Sequence, residues 1–195
     1  MKKKTLQEEV ADIKQKMNLK TTPKKNNYEY GCAMLYFSLP QMAELHELID
    51  QNDLYIADDN GGYGLETEPH VTLLFGLHSE VTTEDVTNVM NQFNYGDCIL
   101  HNASLFKNPL YDVLKFDVRY PTTDSAFLHK ANAELSNFPH TTDYPDYHPH
   151  CTIAYLKPGM GEKYVKELVG HEYTVIPEYG VYSKPDGGKD NIKIK

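Results

Sequence analysis

Pro69-His70-Val71-Thr72-Leu73-Leu74-Phe75 returns later in the chain as Pro149-His150-Cys151-Thr152-Ile153-Ala154-Tyr155. Each copy reads proline, histidine, any residue, threonine, a branched aliphatic, any residue, an aromatic. Side chains alternate along a strand, so His and Thr two apart share one face. Val71, Leu73 and Phe75, and likewise Cys151, Ile153 and Tyr155, are then expected on the opposite face, toward a core. Two apolar strands would each hold up one imidazole and one hydroxyl.

A single His-x-Thr triplet carries little information. Nine His and fourteen Thr in 195 residues give about 0.6 chance matches. Pro139-His140-Thr141-Thr142 even repeats the proline and histidine, but it runs on into Asp143-Tyr144-Pro145-Asp146, which cannot be a central strand. Only His70 and His150 open an apolar run. The signal is the triplet together with its strand, twice over.

Composition bounds the rest. A chain of 195 residues with 40% apolar content can bury one sizeable core, or two lobes sharing one. Cys32, Cys98 and Cys151 are odd in number and widely spaced, so neither a disulfide framework nor a CxxC metal pair is expected. No apolar segment follows the basic Met1–Lys4 and no stretch approaches the length of a membrane span, so the expected location is the cytoplasm, without membrane contact. Residues 1–25 hold eight Lys against Glu8, Glu9 and Asp12, which leaves residues 26–195 with −14 of a total of −9. So acidic a body repels long nucleic acid. A small phosphate ligand in a local site stays open.

In chain order, Leu6, Val10, Ile13 and Met17 form one apolar stripe, predicting an amphipathic helix and linker over 1–27 that packs on the body or mediates self-association. Strands are expected at Cys32–Leu39, Leu54–Ala57, the first motif, and Cys98–Phe106. Helices are expected at Pro40–Gln51, inward through Met42, Leu45, Leu48 and Ile49, and at Thr82–Asn94, with Thr82 and Asp85 as a capping box. The order then restarts. Leu114, Phe116, Val118 and Tyr120 alternate with Lys115, Asp117 and Arg119, a strand with one wet face. A helix at Asp124–Asn137, the second motif, a helix at Gly161–Val169, a strand-like Tyr173–Ser183 and an edge strand with Ile192 and Ile194 follow. Corresponding elements lie roughly 80 residues apart, an internal duplication. The expectation is one bilobal α+β domain over 28–195, lobes about 28–108 and 109–195. Two mostly antiparallel sheets would form a central cleft, with helices outside.

Two histidines across a cleft suit general acid–base chemistry, one accepting and one donating a proton near neutrality. Neighbouring hydroxyls can donate to a charged oxygen between them. Phosphodiester transfer asks for this set. His70, Thr72, His150 and Thr152 are the candidate catalytic residues.

The pair of motifs resembles the signature of the 2H phosphoesterase superfamily, over roughly residues 28–184. Gly64-Leu65-Glu66-Thr67-Glu68-Pro69-His70-Val71-Thr72-Leu73-Leu74-Phe75-Gly76-Leu77-His78 and His148-Pro149-His150-Cys151-Thr152-Ile153-Ala154-Tyr155-Leu156 resemble its phage branch, the anti-CBASS enzymes. The resemblance implies a pseudo-twofold fold, cofactor-free and metal-independent chemistry, with His70 and His150 as acid and base and Thr72 and Thr152 as phosphate donors. It implies cyclic di- or trinucleotide substrates, cut by 2′-hydroxyl attack through a 2′,3′-cyclic phosphate. An RNA 2′,3′-cyclic phosphodiesterase or 2′–5′ ligase-like enzyme, and a non-catalytic nucleotide sponge, are the alternatives.

With fifteen Tyr and no Trp, base stacking would fall to tyrosine or phenylalanine. Tyr28, Tyr30 and Tyr182 are candidate substrate-binding residues, and Glu178 could accept from a base amino edge. Lys115 or Lys157 could meet a phosphate, although a solvated lysine is the default reading. His148, His150 and Cys151 cluster like metal ligands, but His150 and Cys151 should point to opposite faces, so no metal site is expected.

Overall fold

The computed structural model describes residues 28–57, 63–122, 126–144 and 146–195. The expected amino-terminal helix, its apolar stripe and any self-association through it lie outside the described residues, as does the expected helix start at Asp124. The described strands are β1 (Gly31–Phe37), β2 (His70–Leu77), β3 (Cys98–Lys107), β4 (Asp112–Arg119), β5 (His150–Leu156), β6 (Tyr173–Val175), β7 (Pro177–Ser183) and β8 (Lys189–Ile192). The helices are α1 (Met42–Glu47), α2 (Thr83–Met90), α3 (Phe127–Leu135) and α4 (Glu162–Glu167).

Two four-stranded antiparallel sheets form, ordered β2-β1-β7-β8 and β5-β4-β3-β6. The α+β class with two antiparallel sheets is as expected. Each motif strand is an end strand of its sheet, and β2 and β5 lie against one another. The sheets do not divide at residue 109. β3 pairs with β4, and β7 pairs with β1, so each half lends its last long strand to the other half's sheet. This reciprocal exchange keeps the two-fold likeness and ties both halves into one core.

The exchange explains why Tyr173–Ser183 is two strands. β6 bonds to β3 in one sheet, β7 to β1 in the other. Pro177 opens β7, where its missing N–H and fixed φ suit a strand's first residue and not the middle of a ladder. Ile176, the residue at the break, is exposed.

Strand patterning and helix stripes meet in one apolar cluster drawn from both sheets and all four helices. Met42 and Leu45 come from α1, Val86, Val89 and Met90 from α2, Leu128, Ala131 and Leu135 from α3, and Tyr164 from α4. α2 starts as its sequence implies, with Thr82 Oγ1 accepting from the Asp85 N–H and Asp85 accepting from the Thr82 N–H. α1 stops at Glu47, short of the predicted Gln51, so Leu48 leaves the apolar stripe and is 40% exposed. The expected strand at 54–57 is a single bridge, Leu54 to Leu156, along the free edge of β5. Among the described residues, no helix is long and apolar enough to cross a membrane.

Candidate active site

Strand pairing builds the site row by row. Opposed residues in an antiparallel pair point to the same face. In the first sheet Tyr36 stands opposite His70 and Met34 opposite Thr72; in the second, Asp117 stands opposite His150 and Lys115 opposite Thr152. His70 and Thr72 are half-buried, while the intervening Val71 and Cys151 are buried.

Both motif strands carry a bulge at the same place. Ala33 pairs with Leu74 but Met34 with Thr72, and Leu114 pairs with Ala154 but Lys115 with Thr152. One extra residue, Leu73 or Ile153, reverses the alternation beyond it. Leu74 and Ala154 thereby enter the core, and Phe75, expected there, is 50% exposed. Tyr155 is likewise only partly buried, packed against Tyr63 and Tyr111. The carbonyls at the bulges are satisfied: Leu73 O accepts from Asn132 Nδ2 at 2.7 Å and Ile153 O from the Glu66 N–H at 2.9 Å.

The imidazoles are held alike. His70 Nδ1 lies 2.8 Å from the Glu68 carbonyl, and His150 Nδ1 lies 2.8 Å from the His148 carbonyl. A carbonyl only accepts, so Nδ1 carries a proton and Nε2 is left to face a ligand, as a lone pair in a neutral ring or as an N–H in a protonated one. The ring surroundings differ. His70 stacks on Tyr36 (5.2 Å, 23°), which stacks on Tyr179 (5.3 Å, 19°). His150 meets Phe106 edge-on (4.8 Å, 90°). Burial lowers the proton affinity of His150 most. The His148 carbonyl opposes that shift, and the charges of Lys115 and His70 reinforce it.

Lys115, solvated on the default reading, is 5% exposed. Its Nζ donates to Ser104 Oγ at 2.9 Å, pairs with Asp117, and sits 4.4 Å above the Phe106 ring. Asp117 also accepts from Asn102 Nδ2. Burial alone would raise the Asp117 carboxyl, but these hydrogen bonds outweigh it and hold the group below its usual range.

The other candidates divide. Tyr28 is exposed, its N–H donating to the Pro185 carbonyl. Tyr30 stacks on His78 (5.7 Å) and meets Phe75 edge-on, which puts it beside the motif face at the Thr72 end. Glu178 is the exposed extra residue of a bulge in β7. Tyr182 is a correction: it is fully buried, its hydroxyl donating to the Val81 carbonyl at 3.0 Å, so it packs the core and has no surface open to a ligand. The ring on the site face is Tyr179, opposite Tyr36. Tyr182→Phe should cost about 1 kcal/mol in denaturant unfolding, one buried hydrogen bond, with no change in KM for any substrate. A raised KM would return Tyr182 to the site.

Cys151 is buried and its thiol is pushed up to about 12 by burial, as is that of Cys32. Neither supplies a thiolate near neutrality. Among the described residues, no group of three or more His, Cys, Asp or Glu is placed to hold a metal ion.

The fold is similar to that of Usb1 from Kluyveromyces marxianus, with a TM-score of 0.53 at 8% identity over 86% of this chain and 99% of that one. Against Usb1 with uridine monophosphate the TM-score is 0.51 at 8% identity, over 85% and 98%. Escherichia coli LigT complexed with 3′-AMP gives 0.43 at 17% identity, over 86% and 97%. No known family model matches the sequence, and no curated protein matches it. The α+β architecture with two antiparallel sheets is thus shared with Usb1, at an identity where the likeness is one of fold.

Proposed function

We propose that this protein is a 2H-type phosphodiesterase, acting without a metal on a ribonucleotide phosphate, and that its substrates are cyclic di- or trinucleotide signals, as the anti-CBASS resemblance implies. The observation that carries the phosphodiesterase reading is the matched pair of His-Thr faces on adjacent strands, each imidazole fixed through Nδ1 to the carbonyl two residues before it. Usb1, of similar fold, was solved with uridine monophosphate, a ligand of the same chemical class.

In the first step the substrate's 2′-hydroxyl oxygen attacks the adjacent 3′-phosphorus. His150 Nε2 takes the hydroxyl proton, the P–O2′ bond forms, the P–O5′ bond breaks, and His70, entering the step protonated on Nε2, gives that proton to the departing 5′-oxygen. In the second step water attacks the 2′,3′-cyclic phosphate with the roles reversed: His70 accepts a proton from water as the new P–O bond forms, the P–O2′ bond breaks, and His150 returns its proton to the 2′-oxygen, leaving a 3′-phosphate. Burial and the neighbouring cations favour a neutral His150 at the outset, which supports its role as the first base. Thr72 and Thr152 donate to the non-bridging oxygens as charge builds on them.

The test is chromatography of products after incubation with a cyclic dinucleotide, and separately with a 2′,3′-cyclic mononucleotide, both in EDTA. Linear products from the first support the cyclic-oligonucleotide reading. Turnover confined to the second moves the substrate to RNA-type cyclic ends. Tight binding without products makes the protein a sponge, and inhibition by EDTA removes the metal-free mechanism. Thr72→Val and Thr152→Val, which keep shape and delete the donor, should each lower kcat by about 10²-fold with KM little changed. An unchanged kcat in both would remove the threonines from catalysis.

A further inference from the structure

The likeness of the two halves is broken inside the site. The residue opposite Thr72 is Met34 and the residue opposite Thr152 is Lys115; the residue opposite His70 is Tyr36 and the residue opposite His150 is Asp117. In the first sheet these positions join Val181 in a small apolar cluster. In the second, the same positions hold an ion pair whose lysine is buried and whose aspartate is partly exposed. The fold therefore needs no charge there, and a well-packed apolar pair is as stable as a buried ion pair or more so.

The ion pair is also supported from a third strand. Asn102, with φ of +51°, is the extra residue of a bulge in β3, between the pairs His101–Asp117 and Ala103–Phe116. Its side chain donates to Asp117. Ser104, opposite Lys115 on the same strand, accepts from Nζ, and Phe106 underlies it. Asparagine is among the few non-glycine residues that take the left-handed backbone readily, so the residue type suits the bulge. Three side chains and a bulge thus fix one ammonium in the row of Thr152, next to the row of His150.

We propose that Lys115 is a further substrate-contacting residue: its ammonium, aimed by Asp117 and Ser104, takes a non-bridging oxygen of the phosphate beside the Thr152 hydroxyl. This rests on the phosphodiesterase reading above for what happens to the phosphate, but the phosphate contact itself is testable without turnover. The second lobe is then the cationic side of the site, and the first lobe, with Tyr36 and Tyr179 under His70, the aromatic side. Two of the three ammonium protons have partners in Ser104 and Asp117, which leaves one to give to an arriving anion.

Inorganic phosphate binding by titration calorimetry, and turnover of a cyclic dinucleotide in EDTA, are measured for the wild type, Lys115→Met, Lys115→Arg and Lys115→Met/Asp117→Asn. Lys115→Met should weaken phosphate binding at least about tenfold and lower kcat/KM about 10²-fold, and Lys115→Arg should recover most of the binding. The double variant strands no lone carboxylate, so it keeps a near wild-type melting temperature and shows the same loss. Wild-type phosphate affinity in the folded double variant overturns the proposal, and so does a wild type that binds no phosphate. Phosphate binding that depends on Lys115 in a protein with no turnover leaves the contact standing and removes the phosphodiesterase reading alone.

Discussion

His70→Ala and His150→Ala should each lower kcat/KM for the cyclic dinucleotide by about 10³-fold, with the substrate still bound. Positioned acid–base groups contribute 10²–10⁴-fold, and in the proposed cycle each imidazole serves once as acid and once as base, so losing either would stall both steps. The pH profile adds a direction. His150 must be neutral to take the first proton, so activity falls as pH drops through its proton affinity. Burial depresses that affinity first, and the charges of Lys115 on β4 and His70 on β2 depress it further, against the His148 carbonyl and Asp117 on β4. The acid limb of kcat/KM should therefore lie below the ordinary imidazole value of about 6.5. The check is a rate profile from pH 4.5 to 8 with each variant's fold followed by circular dichroism. An acid limb above 6.5 would reverse the assignment of His150 as first base. Full activity in either alanine variant would end the acid–base reading altogether.

How much of this the sequence discloses depends on the kind of information needed. Strand periodicity and the repeated motif carry the fold class, because alternation and duplication are local patterns. The capping box at Thr82 and Asp85 is equally local. The bulges are not. Leu73-Leu74-Phe75 reads as a regular continuation of the strand, and only the register against β1 shows that one residue is extra. Tyr182 and Tyr179 sit three apart on one strand, and nothing within that strand says which ring faces the ligand. Pairing with β1, across a bulge at Glu178, decides for Tyr179. The solvated default fails for Lys115 for a related reason. A lysine alternating with apolar residues usually faces water, and this one faces the motif because β4 lies beside β5. The legible signal would have been that Lys115 and Asp117 share a face, on a strand predicted in the same half as His150.

The same reasoning separates what makes the site from what merely holds it. The tyrosine and methionine opposite the first motif and the lysine and aspartate opposite the second occupy equivalent places in equivalent strands. Packing accounts for the first pair, since Met34, Tyr36 and Val181 form a cluster of their own. It does not account for the second, an ion pair in the rows of His150 and Thr152. Duplication thus supplies two matched His-Thr faces, and divergence at two positions gives them different electrostatics.

Gly76→Ala should be the most destabilising single methyl in the chain's motif strands, lowering stability by about 3 kcal/mol or more, which for a domain of this size is roughly 6–12 °C in melting temperature. Gly76 has φ of +105° and sits where the 139–141 segment docks along the free edge of β2. A Cβ there would lie 1.8 Å from the Thr141 carbonyl oxygen, a backbone atom that cannot rotate away. Relieving the overlap means lifting the segment. That breaks Thr141 N–H to Gly76 O (2.9 Å), His78 N–H to Pro139 O (3.0 Å) and the His78 Nε2 to Thr141 Oγ1 contact (2.8 Å). The same segment leads toward Tyr147, whose hydroxyl donates to the Thr72 carbonyl at 2.9 Å, so kcat should fall along with stability. Gly170→Ala is the control. Its φ is +80° and nothing lies within 4 Å of an added Cβ, so it carries the backbone strain without the collision and should cost about 1 kcal/mol with activity unchanged. Urea unfolding and kcat on both variants decide the matter. Equal losses would mean that strain alone governs and that the strap does not brace the first catalytic strand.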